Sequence, residues 1–401
     1  MYTFKTNIDE NEYNKFIKNY KYMSFMQEKS WANVKDNFDN ILCGVYDGKK
    51  LVAACSILIR RIAKGFTMFY IPRGYLIDFE NKELLEFITD NIKQLAKSYK
   101  AYVVKIDPNF CVSEKLFKNQ DKDFHIYSNN FTEKHNNLLN LGYKHTGFVK
   151  DIHKNIQPRY QMAVPLINDN NEFITYEELL KTFKSKFRYY LGDYHTKRGV
   201  YFTTSHDKKD IKEFVELLKC TEKNKNIHLR NEEYFNKIID NFNDRACILF
   251  GKVNLETYKK FLADNNGKEE ELSQVDDLIN TRGKEITLSS ALLILPDNDG
   301  IRCSEYLYAG NDLTLNKLNV SGGIALEAAK ISIENKCHYC NLGGISGNLD
   351  DSLTKFKSKY NAVILEFAGE YDLVINKTKY VFINNFKPIL KNLYRLIKKN
   401  K

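Results

Sequence analysis

The stretch Ile41-Leu42-Cys43-Gly44-Val45-Tyr46-Asp47-Gly48-Lys49-Lys50-Leu51-Val52-Ala53-Ala54-Cys55-Ser56-Ile57-Leu58-Ile59 sets how the rest of the chain is read. Two apolar runs, 41–46 and 51–59, flank Asp47-Gly48, and glycine takes the positive φ that a tight hairpin turn needs. Working outward, Met68-Phe69-Tyr70-Ile71 gives a further strand that ends in Pro72-Arg73-Gly74. Leu84, Leu85, Ile88, Ile92, Leu95 and Ala96 then recur at helical spacing. Tyr102-Val103-Val104-Lys105-Ile106 reads as a buried strand stopped by Asp107-Pro108.

The same order returns in the second half. Cys247-Ile248-Leu249-Phe250 is a strand, 286–295 is the next, and Pro296-Asp297-Asn298-Asp299-Gly300 turns the chain. A strand over 303–308 ends at Ala309-Gly310. A helix carrying Ile324, Ala325, Ala328, Ala329 and Ile331 follows, and a strand over 338–342 stops at Gly343-Gly344. Hairpin, strand, helix and strand occurring twice predict an α/β fold with mixed sheets, built as two GNAT-like (acetyltransferase-type) domains. The expected division is 1–150 and 151–384, with a C-terminal helix at 385–401 packing back on the first domain. One asymmetry stands out. Where the first half has a two-residue turn, the second has an insert over 251–285. Leu255, Tyr258, Phe261 and Leu262 suggest one helix, Asp264-Asn265-Asn266-Gly267 a break, and Leu272, Val275, Leu278 and Ile279 a second. Such a helical hairpin, standing out from the sheet, is either a solvated protrusion or an arm that contacts a partner.

At 401 residues the chain is long enough for two domains or a duplicated unit, and 43% hydrophobic residues can fill both cores. The N-terminus lacks a basic segment followed by an apolar one, so no secretory signal is expected. No run approaches the roughly 18 apolar residues of a membrane span. The expectation is a soluble, cytoplasmic protein. Its eight cysteines then read as reduced thiols. Cys337-His338-Tyr339-Cys340 has CxxC spacing, but no second pair completes a tetrahedral set, so no metal site is expected. The net charge is +10, with basic residues grouped in 181–198 and at Lys387, Lys391, Arg395, Lys398, Lys399 and Lys401. That pattern fits a solvated lysine-rich surface or a polyanionic partner such as RNA, a nucleotide sugar or an anionic membrane surface.

The usual nucleophile signatures are missing: no G-x-S-x-G elbow, no Walker A loop and no H-E-x-x-H. Gly343-Gly344-Ile345-Ser346-Gly347 follows a strand without opening a dinucleotide-binding helix. The Q/R-x-x-G-x-G/A loop that holds the coenzyme A pyrophosphate is not evident, which argues against a plain acetyl-CoA enzyme. What remains is a set of charged and aromatic residues at element ends: Lys35 after Trp31, Arg73, Asp107, Arg188 in Lys186-Phe187-Arg188, and Lys357 in Lys355-Phe356-Lys357. Singly, each suits a surface charge or a cap. Converging, the cations would hold phosphates or a developing oxyanion.

In order and spacing these segments resemble the Fem family, peptidoglycan-bridge aminoacyltransferases of the FemA, FemX and MurM kind. The likeness spans nearly the whole chain. It runs through Phe25-Met26-Gln27, Ser30-Trp31 to Lys35, Tyr70-Ile71-Pro72-Arg73-Gly74, Lys105-Ile106-Asp107-Pro108 and Gln157-Pro158-Arg159-Tyr160. It continues through Lys186-Phe187-Arg188, Tyr306-Leu307-Tyr308-Ala309-Gly310, Asn341-Leu342-Gly343-Gly344-Ile345, Phe356-Lys357 and Gly369-Glu370-Tyr371. The resemblance implies two GNAT-like domains and transfer of an amino acid from aminoacyl-tRNA, a co-substrate, to an amine on the stem peptide of lipid II or UDP-MurNAc-pentapeptide. It implies no cofactor, no integral membrane segment and a peripheral contact with the inner face of the membrane. Some members carry a long two-helix arm in the second domain, and the insert in this chain sits at that place but is shorter. Lys35 and Arg188 match positions that hold the precursor's phosphates. Tyr102 and Tyr308 resemble precursor-contacting tyrosines, and Arg73 joins this substrate-binding set. Phe356-Lys357 matches the pair beside the acceptor end of the tRNA, where the lysine stabilises negative charge. Asp107 matches an acidic position that is either a base or structural. The family's usual Trp in the helix after Ala309-Gly310 is absent, the segment reading Gly322-Gly323-Ile324-Ala325-Leu326-Glu327. Two rival functions stay open: a GNAT-type transferase with another donor or amine acceptor, and a non-catalytic protein that binds RNA or a cell-wall precursor.

Overall fold

The hairpin forms where expected, with its turn one residue later. In the computed structural model β2 (Asp39–Asp47) pairs antiparallel with β3 (Lys50–Ala63), and Asp47 sits opposite Lys50. Gly48, at φ 59°, therefore takes the first of the two loop positions, where a type II′ turn needs positive φ. The structure describes residues 1–385 except 64, 125, 126, 128, 129 and 226. The helix expected at 385–401 lies, past its first residue, outside the described residues.

The first sheet has the order β1-β2-β3-β4-β5-β16-β8. Its other strands are β1 (Tyr2–Thr6), β4 (Phe66–Ile71), β5 (Ala101–Ile106), β8 (Tyr143–His145) and β16 (Tyr371–Val374). β4 and β5 are parallel, which requires a crossover. The helix Lys82–Ser98 supplies it and starts where the Asn81 side chain accepts the Leu84 N–H at 3.1 Å. Its apolar stripe of Leu84, Leu85, Ile88, Ile92 and Ala96 packs on alternate strand residues, among them Cys43, Val45, Cys55, Ile57, Phe69, Ile71, Val104 and Ile106. Burying each of Ile88 and Ile92 is worth about 1.5–3 kcal/mol. The intervening residues are buried too: Leu42, Tyr46 and Ala54 against Tyr13 and Ile17, and Leu58, Met68, Tyr70 and Tyr102 with Ala32. Burial on both faces explains why these strands read as continuous apolar runs instead of alternating ones.

The second sheet has the order β10-β11-β12-β13-β14-β9-β15-β6-β7. Its strands are β6 (Cys111–Leu116), β7 (Asn119–Asp123), β9 (Tyr160–Pro165), β10 (Val200–Ser205), β11 (Ala246–Asn254), β12 (Glu285–Ile294), β13 (Cys303–Asn311), β14 (Tyr339–Gly344) and β15 (Val363–Phe367). β13 and β14 are parallel and joined by the helix Val320–Glu334, so β11-β12-β13-helix-β14 repeats β2-β3-β4-helix-β5. The duplicated GNAT-like kernel is thus present in both halves. The missing Trp has a steric counterpart in this helix. A side chain at 323 would meet the Phe202 ring at 2.0 Å, and the Gly322 carbonyl accepts the Tyr360 hydroxyl at 2.7 Å.

The expected boundaries at 150 and 384 differ from the compact units found. The first unit is Met1–Val112, Tyr127–Arg159 and the chain from Glu366 on; the second is Ser113–Ile126 and Tyr160–Leu365. The reason is strand pairing. The β6–β7 hairpin lies in the second sheet, and β16 enters the first between β5 and β8. The insert forms the expected helices, Leu255–Asp264 and Glu269–Arg282. It does not simply stand out in solvent. Leu255, Tyr258, Leu262 and Val275 are buried with Ile286, Leu288, Leu315 and Leu318.

β16 is held by charge as well as by its ladder. The Lys105 ammonium lies 2.6 Å from Asp372 and 3.5 Å from Glu370, and Tyr380 donates to Asp372 at 2.7 Å. Burial alone would lower the Lys105 pKa, but the two carboxylates outweigh it and raise it above its ordinary value. Removing one member of a buried pair strands the other's charge. Lys105→Met is expected to destabilise the protein by about 3–5 kcal/mol in urea unfolding. A loss below about 1 kcal/mol, the scale of an exposed pair, would contradict the assignment.

Candidate active site

In both units chemistry collects at the carboxyl end of the crossover strand, where parallel α/β sheets characteristically open a crevice. In the first unit β5 is followed directly by Asp107, which is 3% exposed. Oδ1 accepts the backbone N–H of Arg73 at 2.8 Å, and Oδ2 accepts the Tyr70 hydroxyl at 3.2 Å. Gln157 in turn donates to that hydroxyl at 3.4 Å. Burial pushes the Asp107 carboxyl up to about 7; the Arg73 charge and N–H oppose the rise, and Glu370 adds to it. Burial likewise raises the Tyr70 phenol well above its ordinary value, so it stays a donor. A carboxyl poised near neutrality can exchange a proton at working pH.

In the second unit β14 ends in Gly343-Gly344. The β14–β9 ladder shifts register between Asn341 and Gly344, and Gly343 turns at φ 85°. Asn341 braces this bend: it accepts the Gly343 N–H at 2.8 Å and donates to Gln161 at 2.7 Å and Glu305 at 3.0 Å. The bent backbone offers the Gly344 carbonyl to Lys357, whose Nζ donates to it at 2.8 Å. A Cβ at 343 would lie only 3.7 Å from that Nζ. Lys357 closes the helix Ser352–Lys357, started by Asp351, whose carboxylate accepts the N–H groups of Leu353 and Thr354. Lys357 is 6% exposed. Burial lowers its amine to about 7, with Asp351 opposing the shift and Lys225 adding to it.

Phe356 and Lys357 have separate surroundings. The half-buried Phe356 ring meets Tyr360 edge-on at 5.7 Å, and Phe187 meets the same tyrosine at 5.2 Å. Beyond Phe187 opens a cavity of about 440 Å³ lined by Phe117, Lys118, Lys184, Lys186, Phe187, Tyr190, Ser358 and Lys359. This lining carries four lysines and no acid. Burial and the Lys184 charge lower the Lys118 ammonium, as expected for crowded cations.

The other expected site residues are placed individually. Arg188 is exposed on the helix Ser185–Leu191, next to Phe187. Lys35 lies 4.1 Å over the Trp31 ring, itself met edge-on by Phe25. Tyr102 is buried, its hydroxyl 3.8 Å from the Met68 sulfur. Tyr308 donates to Tyr234 at 3.3 Å and packs edge-on to Phe235. Arg73 joins Asp107, whereas Tyr102, at the other end of β5, belongs to a core cluster. The residues missed were the supports: Tyr70, Gln157 and Glu370 around Asp107, and Gln161, Glu305 and Asn341 around the glycine bend. Most fall in or beside the strings that carry the family likeness, but nothing in their spacing shows what they touch.

The chain matches the model of the FemAB family over residues 8–271 and 263–388. It is 28% identical to lipid II:glycine glycyltransferase of Staphylococcus aureus (strain USA300), with 96% of each chain covered. The protein of that name from strain bovine RF122 / ET3-1 is 27% identical over the same shares. Among solved structures, FemX superposes with a TM-score of 0.76 at 24% identity, covering 94% of this chain and 99% of FemX, which is a likeness of fold.

A buried amine with a lowered pKa costs stability, and the cost depends on pH. Below about 7 the folded chain must hold a buried ammonium that unfolding returns to water, so the cost is complete. Between about 7 and the ordinary 10.5 only the unfolded chain stays charged, and the cost fades as pH rises. Lys357→Met is therefore expected to stabilise by a few kcal/mol at pH ~6, with the gain shrinking toward pH ~10. Denaturant unfolding at the two pH values checks this; an unchanged difference, or a less stable variant at the lower pH, would contradict it.

Proposed function

The chain belongs to the FemAB family, and on that premise we propose that it is an aminoacyltransferase that extends the stem peptide of a peptidoglycan precursor. The donor is aminoacyl-tRNA and the acceptor is an amine on lipid II or its UDP-linked counterpart. Relatives named lipid II:glycine glycyltransferase, aligned over 96% of both chains, support this precursor class. Among the described residues no helix is long and apolar enough to cross a membrane. Because the proposed donor is aminoacyl-tRNA, we place the chain in the cytoplasm, meeting a lipid-linked acceptor by peripheral contact.

The observation that carries the reading is the Lys357 amine, buried at the carboxyl end of β14 and held by one carbonyl. An aminoacyl ester is already activated, so attack by a neutral acceptor amine needs neither a covalent enzyme intermediate nor a cofactor. The amine nitrogen bonds to the ester carbonyl carbon, and the carbonyl oxygen becomes an oxyanion. Lys357, as an ammonium, stabilises that charge in a site where little water screens it. Collapse breaks the bond to the ribose oxygen, which leaves with a proton, and an amide remains. The amine's proton passes to the leaving oxygen by way of the substrate itself, so the transfer balances without a base, and the Asp107 carboxyl, near neutrality, exchanges protons within the first unit. The basic, aromatic cavity beside Phe187 suits RNA, with lysines for phosphates and rings for stacking bases. Lys35, Arg188 and Tyr308 are assigned to precursor binding, Tyr102 belongs to the core of the first unit, and Phe356 packs the helix that carries Lys357 against Tyr360.

Transfer from a panel of charged tRNAs to lipid II and to UDP-MurNAc-pentapeptide, with mass analysis of the product, tests the proposal. The expected result is a gain of one or more amino-acid residues with at least one charged tRNA. Lys357→Met should slow that transfer by about 10²–10³-fold while tRNA binding persists. Tight RNA binding with no transfer from any charged tRNA would point to a non-catalytic binding protein, and full turnover by Lys357→Met would remove the lysine from the mechanism.

A further inference from the structure

We propose that a second, smaller cavity, wholly within the first unit, is a carboxylate-binding subsite built around Arg73 and that it takes the C-terminal carboxylate of a short peptide. The cavity measures about 180 Å³, and Tyr22, Arg73, Phe79, Asn109, Phe110 and Lys134 contribute to its walls. It is smaller than the roughly 300–1,000 Å³ of a pocket for a drug-sized ligand, so it suits one end of a molecule.

Arg73 is the reason to expect an anion. The residue is 6% exposed. Its backbone is fully engaged: the N–H donates to Asp107 at 2.8 Å, and the carbonyl accepts the Asn109 N–H at 3.1 Å. Its guanidinium makes no hydrogen bond or ion pair with any described residue. It lies over the Phe367 ring at 4.5 Å, a contact that uses its face and leaves its five N–H donors at the edge. A buried cation without acceptors is costly. The chain also holds Arg73 at φ 60°, a left-handed conformation that costs a residue with a side chain about 1–2 kcal/mol. A planar carboxylate arriving at the guanidinium edge would satisfy two donors at once.

The other groups select among anions. Lys134 is paired with Glu80 at 3.4 Å and the exposed Lys21 lies over the Tyr22 ring at 5.0 Å, so Arg73 is the buried cation in the lining without an acidic partner. Asp107 and Asp78 stand close by and disfavour a dianion more than a monoanion. Tyr22, Phe79 and Phe110 line the space with rings, which suits a carboxylate carried on a small apolar residue better than a fully hydrated phosphate. A peptide with a small terminal side chain and a free carboxylate meets these conditions. The choice of a peptide rests on the reading of the acceptor as a stem peptide, whereas the anion site does not.

Titrating the full-length protein by NMR with acetyl-alanyl-alanine and with its C-terminal amide tests the subsite without requiring transfer. The acid should bind about tenfold or more tightly than the amide. Arg73→Asn, whose side chain tolerates the left-handed backbone, should abolish that preference, and Arg73→Lys should restore part of it. Equal binding of acid and amide to the unaltered protein, or a preference that survives Arg73→Asn, would overturn the proposal. A preference for inorganic phosphate over the peptide acid would also overturn it. If transfer to precursors fails while the acid preference holds, the subsite stands and the aminoacyltransferase reading falls.

Discussion

The first unit depends on a strand from the far end of the chain. β16 occupies an interior position between β5 and β8, and the Lys105 ammonium fastens it between Asp372 and Glu370. Without it β5 would present an unpaired, largely apolar edge, a form natural sheets avoid. The same segment shapes the Asp107 surroundings, because Glu370 precedes β16 and its carboxylate accepts the Ile156 N–H. Closing the sheet must wait for residues more than 260 positions after Lys105, so folding of this unit carries a large loop-closure cost and is expected to be slow.

Duplication puts the ends of β5 and β14 in equivalent places, and each end holds a buried ionisable group. Burial moves the two toward the same value from opposite sides, the Asp107 carboxyl up to about 7 and the Lys357 amine down to about 7. Neither is offset by a full ion pair among the described residues: Asp107 has two donors, and Lys357 has one carbonyl. A core built only for stability would fill both positions with apolar side chains. Retaining them is the kind of stability cost that functional sites carry. Arg73 belongs to the same pattern, since its backbone serves Asp107 while its guanidinium remains available.

The kernel of the fold is legible in the sequence because it is local. The hairpin, the crossover helices and the parallel strands follow one another along the chain, and their apolar spacing reports them directly. What fails to show is non-local or polar. Asn119–Asp123 has no apolar alternation, yet it pairs with β6 at the edge of the second sheet, so a boundary near 150 is the natural but mistaken reading. The four residues of β16 are too few to announce a strand without their neighbours. At the site, the end-of-strand positions of Asp107 and Gly343-Gly344 are visible in the sequence, as is the Phe356-Lys357 pair. That the pair divides, Phe356 packing on Tyr360 and Lys357 reaching Gly344, depends on a backbone bend that no residue spacing encodes. As a string the glycine run suggests only a weak nucleotide loop; its structural use is to bring a carbonyl to a lysine.

Whether Lys357 acts as a cation or as a neutral base is the question on which the mechanism turns. The most direct measurement is the ratio of single-turnover transfer rates, unaltered protein over Lys357→Met, followed from pH ~6 to ~10. The ratio cancels the ionisation of the acceptor amine, which both proteins share. If the ammonium stabilises the oxyanion, the ratio is large at low pH and falls as pH rises through the Lys357 value. A ratio that grows with pH would mean that the neutral amine does the work, and would contradict the proposed role of Lys357 as the cation that stabilises the oxyanion.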